Sequence, residues 1–267
     1  MTDTAHLTIS EILDALAETL KSLEDVLATL EPDEWHRATG CPGWDVKDVV
    51  SHIIGLEDQL AGLPDPEHEL PESFDRPLGA DSRRIEIQVD ARRQLPTEEI
   101  LRQFRASTSR GLARRRASER PASEMTDGPF GWRMPYWQLL SIRTFDCFAH
   151  EQDVRRAIDR PGNLDGKAAS LVGDLVAGVL PGLLAQRVAE LDGRLLVIDV
   201  PAEGASTGRR IAIGSAGPSD TVTTLTVSLG DLIAFACGRS DADAQRVVVT
   251  GDEELAAHVL GAIGFTP

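Results

Sequence analysis

Ile9, Leu13, Leu16, Leu20, Leu23, Leu27 and Leu30 recur at alternating spacings of four and three near the start of the chain. That period lays one unbroken apolar stripe along a helix, and the stripe is buried only by packing lengthwise against other helices. Thr8 and Glu11 form a capping-box pair at its start, and Pro32 predicts its end. A helical bundle is therefore the first architecture the sequence demands.

The following segments extend it. Asp45, with Asp48 three residues on, predicts the start of a second helix, whose buried stripe is Val46, Val49, Val50, Ile53, Leu56 and Leu60. Between Leu63 and Leu78, Pro64, Pro66, Pro71 and Pro77 among acidic residues read as an extended loop. Ser82–Gln94 reads as helical from Ile85 and Val89. Thr97 is expected to cap another helix, with Ile100, Leu101, Phe104 and Leu112 inward and Arg114, Arg115 and Arg116 near its end. Gly128–Pro135 reads as a loop, and Tyr136–Ile158 as one long helix.

Arg160-Pro161-Gly162-Asn163 ends that helix with two breakers together and marks the domain boundary. The period then changes. Ala168–Leu191 reads as a helix interrupted or kinked at Pro181-Gly182. Strand-like runs follow at Leu195–Val200, Arg209–Ile213, Val222–Val227 and Arg246–Thr250. Ser228 with Asp231, and Asp252, open two short helices. The expected class is α+β: a helical bundle over 1–162 and a smaller α+β domain over 163–267.

A formal charge of −16 argues against a nucleic-acid or anionic-membrane partner, because Lys and Arg must supply that attraction. It leaves room for a local basic pocket that takes a small anion. Cys41, Cys147 and Cys237 are too sparse for a disulfide-stapled secreted fold. No charged-then-apolar leader opens the sequence, and no apolar run is seen to approach the roughly 18 residues of a spanning helix. A cytoplasmic location is the expectation. Phosphate-loop, dinucleotide-binding, serine-hydrolase and dithiol motifs are absent.

The chemistry-bearing residues concentrate in Arg143–Asp153. Asp146 and His150, four apart, project from one helical face and can converge on a common point. A carboxylate and an imidazole at this spacing supply two ligands of a bundle metal site, and equally make a structural hydrogen-bonded pair. Asp153 is placed to orient the His150 ring through its other nitrogen. His52 sits at the margin of the second helix's stripe. With it, three potential ligands on two helices match the count of a catalytic metal site with open positions. The turn-rich run Thr39–Val46, flanked by Trp35 and Trp44, reads as a shaped connection that sets the entry of the His52 helix. Cys41 lacks neighbours in sequence that would activate it, and Cys147 reads as core. The arginine pairs, including Arg155-Arg156, read mainly as salt-bridge partners of the surplus acids, with carboxylate binding as the alternative.

Trp35 with Cys41-Pro42-Gly43-Trp44-Asp45-Val46 and His52, and Phe145-Asp146 through His150-Glu151-Gln152-Asp153-Val154-Arg155-Arg156-Ala157, resemble the signatures of the mycothiol-dependent maleylpyruvate isomerase family. Val222–Gly238, Val247–Val249, Gly251-Asp252 and Phe265-Thr266-Pro267 resemble its C-terminal domain. The resemblance implies a DinB-like metal-binding four-helix bundle followed by a sterol-carrier-like domain. It implies a divalent metal, zinc before others, on His52, Asp146 and His150, with mycothiol as thiol cosubstrate. The isomerase itself has Glu where this chain has Asp146, which draws the carboxylate back by roughly 1.5 Å, one bond length. The implied activity is isomerisation or thiol S-transfer on a small electrophilic substrate, through a metal-stabilised thiolate and with an arginine holding a substrate carboxylate. Two other readings stay open: a non-catalytic module that binds a small molecule or partner, and a metal-dependent hydrolase using bound water.

Overall fold

The computed structural model describes residues 7–72, 74, 80–128, 131–191, 193–204, 207–215 and 222–266. The chain divides into two compact units, Met1–Pro161 and Gly162–Pro267. Eight helices and two small sheets among the described residues make the protein α+β.

In the first unit, α1 (Ile9–Leu27), α2 (Val46–Leu60), α4 (Thr97–Arg116) and α5 (Tyr136–Ala157) form a four-helix bundle. Helix α1 packs against α4 and α5, and α2 against the same two. Helix α3 (Ala80–Asp90) lies against α2. The expected capping box is formed: the Thr8 hydroxyl accepts from the Glu11 N–H, and the Glu11 carboxylate accepts from the Thr8 N–H at 2.7 Å. The leucine stripe is buried from Leu13 to Leu27. The helix stops at Leu27, sooner than Pro32 predicted, because the chain turns through Ala28 and Thr29 and leaves Leu30 half-buried.

Other boundaries also moved. Asp45 caps α2 by accepting from the Asp48 N–H at 2.8 Å, but Leu60 at the far end is exposed. Pro96, not Thr97, holds the cap position of α4, so the Thr97 side chain makes no cap hydrogen bond. Helix α3 ends at Asp90 rather than Gln94. The loop after Leu63 is tied back onto α3: Asp65 accepts from Arg84 at 2.7 Å and from Gln88 at 2.9 Å, and His68 pairs with Asp90 at 2.6 Å. Its Pro77 and Leu78 lie outside the described residues. The end of the expected loop Gly128–Pro135 is a strand, β2 (Arg133–Pro135), which pairs antiparallel with β1 (Met125–Asp127) just before that loop.

Bundle packing turns on one buried carboxylate. Glu57 of α2 is fully buried and takes hydrogen bonds from Arg115 of α4 at 2.8 Å and Arg143 of α5 at 2.9 Å. A Cβ on Gly111 would lie 2.0 Å from Glu57 Oε2 and 2.7 Å from the Arg115 guanidinium, so glycine makes the room for this α2–α4 pair.

The second unit holds a four-stranded sheet in the order β4-β3-β5-β6, from β3 (Leu195–Val200), β4 (Arg209–Gly214), β5 (Val222–Thr226) and β6 (Val248–Thr250). Strand β3 pairs antiparallel with β4 and parallel with β5, and β5 pairs antiparallel with β6. Ile211 and Ile213 of β4 alternate with exposed neighbours, whereas Leu196, Val197 and Ile198 of central β3 are all buried. Helix α6 (Lys167–Arg187) runs through Pro181 without a break in assignment. It is long and apolar enough to cross a membrane by length and composition, which corrects the expectation that no segment reaches that length. Here it packs against β4, α7 (Leu229–Ala236) and α8 (Glu253–Ala262), as a core helix of a small domain does. Ser228 and Asp252 cap α7 and α8 by accepting from the Asp231 and Leu255 N–H groups.

Two stability outcomes follow. Gly111→Ala forces the ion pair apart and is expected to lower unfolding free energy by about 1–3 kcal/mol in urea denaturation. Burial works against the charge on Glu57, but Arg143 and Arg115 outweigh it and hold its carboxyl below the usual range. Its contribution is therefore present at neutral pH and lost as pH falls through that depressed value. Glu57→Gln should lower Tm at pH 7 and flatten the decline of Tm with acid.

Candidate metal centre

The run Arg143–Val154 on α5 is buried at every position except Asp146, which is half-buried. A helix so surrounded carries polar groups only where each finds a partner. Glu151 finds Thr19 at 2.5 Å, Ser22 at 2.6 Å and Arg155 at 2.8 Å. Asp146 and His150 face α2, from which His52 meets them.

These three converge. His52 Nε2 lies 3.5 Å and His150 Nε2 3.6 Å from the same oxygen, Asp146 Oδ1, and the two imidazole centroids are 4.7 Å apart. One ligand atom from each residue lies within 4.8 Å of the other two. The separations are long for hydrogen bonds. They approach the edge of a tetrahedron around an ion with ligands at about 2.0–2.1 Å, which is about 3.3–3.4 Å.

Protonation follows from the surroundings. Burial lowers the His52 pKa despite the neighbouring Asp146, so its ring is neutral and free to ligate. Burial opposes ionisation of Asp146 too, yet the Arg143 guanidinium holds its carboxyl well below the usual range. His150 Nδ1 donates to Asp153 Oδ2 at 2.9 Å, and Arg156 donates to Asp153 Oδ1 at 2.6 Å. A carboxylate only accepts, so the proton of a neutral His150 sits on Nδ1 and the Nε2 lone pair points at another acceptor, Asp146. His52 Nδ1 is buried without a hydrogen-bond partner among the described residues. Two nitrogens and an oxygen, all acceptor-rich and drawn together, are a donor set that a divalent cation satisfies. The residues fit such an ion.

The turn-rich connection has a larger part than a shaped entry. Thr39 N–H donates to the Trp44 carbonyl at 3.0 Å and Trp44 N–H to the Cys41 carbonyl at 3.0 Å, closing a tight loop in which Gly43 takes a φ of 81°. The loop sets Trp44 beside both histidines, with ring centroids 5.2 Å from His52 and 6.2 Å from His150. Trp44 Nε1–H donates to Glu86 of α3 at 3.2 Å, which fixes the indole. The same loop buries Cys41 with its thiol donating to Asp153 Oδ2 at 3.2 Å. Cys41, His150 and Asp153 also lie close enough to share an ion. There, however, Asp153 already accepts hydrogen bonds from His150, Cys41 and Arg156, so this group supports the first. Cys147 is core, its thiol pushed up to about 12 by burial.

Sequence reasoning named His52, Asp146, His150 and Asp153 as site candidates, and named Cys41, Trp44 and Arg143 without giving them a part at the site. The signal for Cys41 and Trp44 was their place in the signature run before α2, and for Arg143 its spacing of three from Asp146. The arginine runs are largely spent on the chain's own acids: Arg93 on Asp48, Arg92 on Asp58, Arg116 on Asp14, Arg155 on Glu151 and Arg156 on Asp153.

A helical bundle that gathers a carboxylate and two imidazoles, joined to a small α+β unit, defines a class of bundle proteins with a candidate metal centre. Residues 16–155 match the family described as Mycothiol maleylpyruvate isomerase N-terminal domain, and the chain belongs to that family. It is similar in fold to the crystal structure of the mycothiol-dependent maleylpyruvate isomerase, at 17% identity and a TM-score of 0.59 over 94% of this chain and 96% of that one. A histidine-to-alanine mutant of that isomerase is similar over the same shares, at 18% identity and a TM-score of 0.60. No curated protein matches.

Asp153→Ala removes the group that orients His150. Divalent-metal affinity, measured by chelator competition, is expected to fall about 10–100-fold.

Proposed function

We propose that this protein is a cytoplasmic metalloenzyme that uses mycothiol to isomerise, or to transfer sulfur to, a small electrophilic substrate bearing a carboxylate. In this reading residues 1–162 are the DinB-like metal-binding bundle and 163–267 a sterol-carrier-like domain. The observation that carries the reading is the convergence of His52 Nε2 and His150 Nε2 on one oxygen of Asp146.

His52, Asp146 and His150 would hold the ion, zinc first among candidates by its taste for nitrogen and oxygen ligands and open positions. When bound, such an ion keeps a thiol in its thiolate form at neutral pH. The protein's own groups prepare the place. Asp153 locks the His150 tautomer, burial keeps His52 neutral, and Trp44 walls one side against water. Arg115 and Arg143 balance the charges of Glu57 and Asp146.

The reaction then balances simply. The sulfur lone pair forms a C–S bond to one end of a cis double bond conjugated to a carbonyl, and the π pair moves toward the carbonyl oxygen. Rotation about the resulting single bond and expulsion of the thiolate return the trans isomer. Retention of the C–S bond with protonation at carbon gives a conjugate instead. Half-exposed Asp146 is the open point in an otherwise buried run, which suits a substrate that must enter and leave.

Elemental mass spectrometry on untagged protein tests the reading. About one divalent ion per chain is expected in wild type. Its loss, with loss of mycothiol-dependent turnover, is expected in His150→Ala. Full turnover by metal-stripped protein would defeat the reading, and turnover without any thiol would point to hydrolysis.

A further inference from the structure

Asp146 divides its two carboxylate oxygens between different masters. Oδ1 faces both histidines, and Oδ2 accepts from a terminal nitrogen of Arg143. Arg143 is buried and held from two further directions: its Nε donates to Glu57 Oε1 at 2.9 Å, and its other terminal nitrogen donates to the Ile53 carbonyl at 3.2 Å. Glu57 is itself fixed by Arg115. The guanidinium is thus a rigid bracket between α2 and α5, the two helices that carry the histidines and the carboxylate.

We infer that Arg143 is a positioning residue that reserves Asp146 as a one-oxygen ligand, turning Oδ1 toward the histidine pair and withholding Oδ2. The inference rests on the metal-centre reading given above. An aspartate has only two side-chain torsions, and its carboxylate reaches less far than a glutamate's, so its ligating oxygen has to be aimed from outside. A planar fork with five donors can hold two carboxylates and a carbonyl at once, which a lysine ammonium on a flexible stem cannot. Electrostatics alone predicts the opposite behaviour: a positive charge beside a cation site weakens it, and removing that charge should tighten the hold on the ion. The sign of the effect therefore separates aiming from mere charge.

The experiment is zinc affinity by chelator competition on wild type, Arg143→Gln and Arg143→Lys, with circular dichroism to confirm folding. Zinc-edge X-ray absorption reports the number of carboxylate oxygens. Both variants are expected to bind zinc about 10–100-fold more weakly than wild type, which should show a single carboxylate oxygen. Unchanged or tighter binding in folded Arg143→Gln would overturn the inference. So would full rescue by Arg143→Lys, or two carboxylate oxygens on the ion in wild type. Should both Arg143 variants fail to fold, Glu57→Gln keeps the guanidinium and removes the charge of its anchor. Its zinc affinity is then expected to fall several-fold, and no change would overturn the inference. Failure of wild type to bind zinc, cobalt or manganese at all would bring down the metal-centre reading itself, whereas binding that is indifferent to Arg143 would remove only the bracket.

Discussion

A chain of charges running from Arg115 through the buried Glu57 and Arg143 to half-buried Asp146 is the interaction on which the first unit depends. Burying a charge costs several kcal/mol unless a partner compensates it, and breaking such a pair costs about 3–5 kcal/mol because the remaining charge is stranded. Two of its three links cross between helices, α4 to α2 and α2 to α5, and the third, Arg143 to Asp146, lies within α5. The network therefore sets the position of α2 relative to α5 in a way that an apolar contact, which tolerates sliding, does not. Gly111 is part of the same arrangement, since the ion pair occupies the volume where a side chain would otherwise stand.

The candidate centre inherits that placement. His52 belongs to α2 and the other two residues to α5, so their spacing is fixed by the packing of the two helices. Each ligand candidate on α5 is then trimmed by a neighbour three residues along the helix: Arg143 for Asp146 and Asp153 for His150. About three turns of one helix thus carry both the groups that would bind an ion and the groups that aim them. Cys41 and Trp44 arrive from the loop before α2, one behind the His150 ring and the other beside both rings.

The second unit obeys different physics. Its sheet buries a central strand on both faces, and α6 supplies apolar surface in such density that the helix passes a length-and-composition test for membrane spanning. Nothing in the helix alone separates these fates. The strands that pair beside it, and its packing on β4, give it the place of a core helix.

The sequence by itself determined the α+β class, the leucine stripe and capping box of α1, the caps of α2, α7 and α8, and the strands of the second sheet. These are local: a period, a side-chain oxygen one turn from an N–H, a β-branched run between turn residues. It also put Asp146, His150 and Asp153 within reach of one another, because helical spacing of three and four is itself a distance. Tertiary structure decided what no spacing encodes. It brought His52 across from another helix, folded Cys41 onto Asp153 over 112 positions of sequence, and gave Glu57 and Arg143 to each other over 86. It also ended α1 at Leu27 and made a strand of the end of the loop before α5, where local signals were weak and neighbouring backbone could override them. Long-range partners are chosen by packing of whole helices, and one sequence read residue by residue carries no term for that.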